Sequence, residues 1–62
     1  MEKKYYVYYT KDCKVNLYKF SSLQAARVVY DTLRCTDFEY LSIEEYHPER
    51  GGYLVILESI SM

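Results

Sequence analysis

The residues that could do chemistry are few: one histidine, two cysteines and nine tyrosines in 62 residues. His47 stands beside Pro48 in a turn-forming stretch, with Glu44, Glu45 and Glu49 close in sequence. On an extended strand Glu45 and His47 point one way and Glu44 the other. A zinc centre needs four convergent ligands, usually histidine or cysteine, so this group falls short and a solvated turn histidine is expected. Cys13 lies between Asp12 and Lys14 in a loop, and Cys35 falls at the end of the helical stretch, where the dipole disfavours a thiolate. Nucleophilic catalysis also requires a base and an orienting group, and neither cysteine has a histidine near it in sequence. No enzyme activity, metal or cofactor is therefore expected.

Other motifs are equally sparse. Arg50-Gly51-Gly52 matches a single RGG unit of RNA-binding tails, but a hairpin turn accounts for both glycines. The chain contains no phosphate loop, dinucleotide fingerprint or cysteine-pair zinc motif. What remains is the tyrosines, and their chemistry is recognition. Tyrosine combines a large rigid contact area with a hydroxyl and is enriched at protein interfaces.

The elements that position these residues follow from pattern. Lys3 to Thr10 (KKYYVYYT) reads as a strand, Lys11 to Lys14 as a turn, and Val15 to Phe20 (VNLYKF) as a second strand. Ser21 and Gln24 have capping-box spacing, and the stretch to Arg34 contains no Gly or Pro, which predicts the one helix. Phe38 to Tyr46 gives a third strand, His47 to Gly52 a turn, and Tyr53 to Ile60 (YLVILESI) a fourth. The order is ββαββ, and the expected fold is α+β: a single domain over 1–62, with one antiparallel four-stranded sheet and a helix packed on one face.

Parity then divides the strand residues between two faces. The expected inward set is Tyr5, Val7 and Tyr9, then Val15 and Leu17, then Leu41 and Ile43, then Tyr53, Val55 and Leu57. Leu23, Ala26, Val29, Tyr30 and Leu33 share one side of the helix and complete the core, while Val28 points away. The outward set contains Tyr6, Tyr8, Tyr18, Phe38, Tyr40, Leu54 and Ile56. One helix covers only one face, and a monomer seldom leaves a contiguous apolar patch larger than a few hundred Å² uncovered. The outward face is thus expected to meet a partner.

Charge refines the expectation. The net charge of −1 hides a split. Residues 1–34 hold seven basic and three acidic side chains, a net +4, and residues 35–62 hold one basic and six acidic, a net −5. Such a split steers charged partners without bearing on the fold. No apolar run is long enough to span a bilayer, no leader-like stretch is read at the start, and two cysteines are too few for a secreted disulfide framework. These features predict a cytoplasmic protein with free thiols. The expected function is a non-enzymatic protein-interaction module that also forms a homodimer through its tyrosine-rich sheet face. Tyr6, Tyr8, Tyr18 and Tyr40 are the expected anchors, with Glu44 and Glu45 setting charge preference. A small module without catalytic equipment suits a stoichiometric regulator or inhibitor in the style of phage and mobile-element proteins, by analogy of size alone. The alternative is single-stranded RNA stacked on exposed tyrosines. Against it stand the acidic balance and a strand order unlike the βαββαβ of RNA-recognition domains.

Overall fold

The computed structural model describes residues 4–61. Strand β1 spans Tyr5–Lys11, β2 Lys14–Phe20, helix α1 Leu23–Arg34, β3 Tyr40–His47 and β4 Gly52–Ile60, with a short 3-10 turn at Pro48–Arg50. The strands form one antiparallel sheet in the order β2-β1-β3-β4. The predicted α+β architecture and the ββαββ order are therefore those observed. Strand β1 lies between β2 and β3, so α1 carries the chain across β1 from one side of it to the other.

The first hairpin turn fixes more than a reversal of direction. Lys11 pairs with Lys14, leaving only Asp12 and Cys13 between the strands. Both adopt positive φ, 52° and 63°, the left-handed pair that a two-residue turn needs to match strand twist. This register places Val7 opposite Tyr18 and Tyr5 opposite Phe20. Directly opposed residues share a face, so Asn16, Tyr18 and Phe20 lie on the helix side with Val7. Val15 and Leu17 lie on the other side. The expected faces of β2 are thus exchanged: Tyr18 belongs to the helix side, and a one-residue slip reverses every side chain of a strand.

Strand β4 is irregular for a different reason. Ile43 pairs with Leu57 and Glu44 with Val55, so Ile56 is an extra residue at a bulge. The bulge lets Ile56 and Leu57 both pack against the core. It also changes parity along the strand, so Tyr53 and Val55 take the open face while Leu54 takes the helix side with Glu45. The expectation that Tyr53 and Val55 point inward, and Leu54 and Ile56 outward, is corrected by that one residue. Phe38, also expected outside, precedes β3 and packs against the core.

Helix α1 starts one residue later than its sequence motif suggests. Ser22, not Ser21, is the N-cap: its backbone is extended and its Oγ accepts the Ala25 N–H at 3.2 Å. Ala26 and Tyr30 are buried, and Val29 and Leu33 pack beside them, whereas Leu23 is partly exposed. At about 1.5 Å per residue, twelve residues make a helix about 18 Å long. It covers the central strands, where Val7, Tyr9, Leu41 and Ile43 complete the buried cluster. Two core tyrosines extend their hydroxyls to the rim. The Tyr30 hydroxyl lies 2.6 Å from Ser59 Oγ, tying the helix to β4, and the Tyr9 hydroxyl donates to the Asp37 carbonyl at 3.1 Å.

Candidate functional site

The face away from the helix can be laid out row by row from the register. Lys19, Tyr6, Glu44 and Val55 form one row across β2, β1, β3 and β4. Leu17, Tyr8, Ser42 and Glu58 form the next, and Val15, Thr10, Tyr40 and Ile60 the third. Tyr46 and Tyr53 extend the face at the end near the second turn.

Its aromatic residues are organised rather than scattered. Tyr6 meets Tyr53 edge to face at a centroid distance of 5.3 Å, and Tyr46 joins Tyr53 at 5.1 Å. Tyr8 and Tyr40 form a second edge-to-face pair at 5.7 Å. Such pairs contribute about 0.5–1.5 kcal/mol beyond the area they bury, and they fix ring orientation. Between the two groups lies Ser42, fully buried although no helix covers it. Flanked by Tyr8 and Glu58, it donates to Glu44 Oε2 at 3.2 Å. The Tyr40 hydroxyl donates to Glu58 Oε2 at 2.7 Å, and this bond, with partial burial, raises its phenol above the ordinary value.

The rim of this face is apolar and open to solvent. Exposure runs from 38% at Tyr46 to 63% at Ile60, with Val15, Leu17, Tyr53 and Val55 between. The arrangement is a preorganised aromatic floor with aliphatic residues along both edge strands. Among the partner-contacting residues read from sequence, Tyr6, Tyr8, Tyr40 and Glu44 lie together here. Tyr18 and Glu45 lie on the opposite face. Sequence reasoning missed Tyr46, Tyr53, Val55, Val15 and Leu17 as members of the surface. The two-residue turn could have identified Val15 and Leu17, because its pairing sets their parity; the β4 bulge leaves no comparable signal.

Glu45 belongs instead to a polar cluster at the end of the helix side. Lys4 Nζ lies 3.2 Å from Glu45 Oε2, and His47 bridges Glu45 at 2.9 Å through Nε2 and Glu49 at 3.2 Å through Nδ1. Partial burial opposes ionisation of Glu45, but the Lys4 ammonium and the His47 ring together outweigh it and hold the carboxyl below its usual range. Glu49 is lowered by its own backbone N–H and then by His47, and Lys4 is raised by its hydrogen bond to Glu45. The two carboxylates meet opposite nitrogens of one ring, so the three side chains do not converge on a common point. Among the described residues no cluster of three or more metal-ligating side chains is arranged to hold an ion. A shallow pocket of about 110 Å³ lies beside His47, Arg50 and Tyr53, well below the size of a small-molecule site. Cys13 and Cys35 are both free and exposed. Among the described residues no helix is long and apolar enough to cross a membrane.

Comparison with protein-family models, with curated proteins and with solved structures finds no match to this chain.

Proposed function

We propose that this chain is a non-enzymatic protein-interaction module, and that its tyrosine face is the contact surface. One observation carries the reading: every row of the sheet face away from the helix holds a tyrosine and at least one aliphatic residue, and its edges stay exposed. Tyr6, Tyr8, Tyr40, Tyr46 and Tyr53 supply rigid anchors already held by ring-to-ring contacts. A partner loses little entropy in ordering them. Glu44 and Glu58 add two acceptors beside the anchors, and Lys19 adds the one cation of the three rows.

The mechanism is occlusion: the face covers a surface on a partner protein and keeps other ligands from it, as a stoichiometric regulator or inhibitor does. The same face serves self-association, so free module and partner compete for it. Charge favours protein over nucleic acid, because phosphate contacts need several cations and the face offers two carboxylates against Lys19.

Affinity capture from extract with and without nuclease treatment, with wild type and the Tyr8→Ala/Tyr40→Ala double variant as paired baits, tests the reading. A protein retained by wild type and lost by the folded double variant is the expected result. Equal capture by both baits contradicts it, and capture that disappears with nuclease treatment assigns the face to nucleic acid.

A further inference from the structure

The charges of the open face are segregated in a way that suits one occupant. Lys19 stands on edge strand β2, while Glu44 and Glu58 stand on β3 and edge strand β4. Among the described residues none of the three has an ion-pair partner within the chain. Apolar residues are divided similarly, with Val15 and Leu17 on β2 and Val55 and Ile60 on β4. The face is therefore complementary to its own image when β2 of one copy lies over β4 of another.

We infer that the occupant of this face is a second copy of the chain, docked about a two-fold axis that runs along the strands between β1 and β3. That rotation lays β2 of each copy over β4 of its partner and β1 over β3. Lys19 then sits above Val55, within reach of Glu44 and Glu58, and Val15 sits above Ile60. Tyr8 covers Ser42 in both directions. A two-fold running across the strands would instead lay β2 over β2 and β4 over β4, gathering like charges on the same side.

The size of the face places the pairing among the smaller interfaces. Four strands spaced about 4.8 Å apart, with about seven residues each, give a projected footprint of roughly 450 Å². A standard stable interface buries about 800 Å² per partner. A face of this size falls among the small, transient interfaces, so the pairing is reversible and concentration-dependent. This inference rests on the interaction reading above and adds regulation to it: at high concentration the module masks its own contact surface, and dilution exposes it.

Sedimentation analysis of wild type, Lys19→Glu, Glu58→Lys and their equimolar mixture tests the geometry. Lys19 and Glu58 are both exposed, and each substitution acts twice in a symmetric pair. The expected result is a reversible wild-type dimer, each variant weakened about tenfold or more, and a mixture restored to within about threefold of wild type. Restoration by mixing also excludes misfolding, since two unfolded chains cannot rescue each other. A wild-type monomer up to about 1 mM, dimers indifferent to both charges, or a mixture without recovery would each overturn the inference. If wild type is monomeric but its capture of a partner still depends on Tyr8 and Tyr40, the dimer alone fails. A dimer that ignores the charges and the tyrosines alike forms through another surface and overturns the inference, while capture by the paired baits decides the interaction reading separately.

Discussion

The two faces of the sheet use the same residue type for opposite ends. Toward the helix, Tyr9 and Tyr30 are buried, and their hydroxyls find partners at the rim, Asp37 and Ser59. Away from it and beneath no helix, Tyr6 packs edge to face with Tyr53 and Tyr8 with Tyr40, and Tyr46 joins Tyr53 at a tilt. The first group closes a core with few fully buried side chains. The second group makes a surface that is ordered before anything binds it. Tyrosine content alone therefore does not separate stability from recognition; the covering layer does.

If this contrast holds, substitutions on the two faces separate cleanly. Ile43→Ala, at a fully buried position on the helix side, is expected to cost about 3–4 kcal/mol. That approaches the whole stability of a domain this size, roughly 3–9 kcal/mol. Chemical denaturation should find it largely unfolded, with Ile43→Val about 1 kcal/mol below wild type. Tyr30→Phe keeps the packing but strands Ser59, so about 1 kcal/mol is lost while association is unchanged. A larger effect on association than on unfolding would break the division between the faces.

Cys13→Gly sharpens the comparison through the turn that assigns β2 to its faces. Cys13 holds φ 63°, a region costly for residues with a Cβ, and glycine there is expected to raise stability by about 0.5–1 kcal/mol. Loss of stability would mean that the turn is not strained. Leu17→Ser on the open face should change monomer unfolding by less than about 0.5 kcal/mol and still weaken self-association. The smallest effect is on pH dependence. Glu45 and Glu49 sit below their unfolded pKa values, so their contribution is complete above roughly pH 5 and is lost as pH falls through the folded values. Lys4 sits above its unfolded value, so its contribution is present at neutral pH and lost as alkaline pH passes the folded pKa. Glu45→Gln should make both limbs of the melting profile shallower, read as Tm against pH.

Much of the fold was legible because the local signals were separate. Hydrophobic parity placed Tyr5, Val7 and Tyr9 on β1 and Leu41 and Ile43 on β3, and the Gly- and Pro-free stretch to Arg34 delimited the helix. Errors arose where one residue shifts a register. The stretch Val15 to Phe20 has plausible apolar sets at both parities, and only the length of the Asp12-Cys13 turn decides between them. The bulge at Ile56 has no glycine or charge to mark it; it follows from packing both Ile56 and Leu57 against the core. Strand order was equally hidden, because nothing local says that α1 carries the chain over β1. Tyr6, Tyr8, Tyr40 and Glu44 share the open face as parity predicts because β1 and β3 are the central strands, whereas the faces of Tyr18 and the β4 residues depended on the two edges.

The most direct test of the open face is a methyl-resolved NMR dilution series from about 1 mM to about 10 μM. Methyl signals of Val15, Leu17, Val55 and Ile60 are expected to shift with concentration, while those of Val7, Leu41 and Ile43 stay fixed. Movement confined to the helix surface at Val28, or no movement at any methyl, would contradict it.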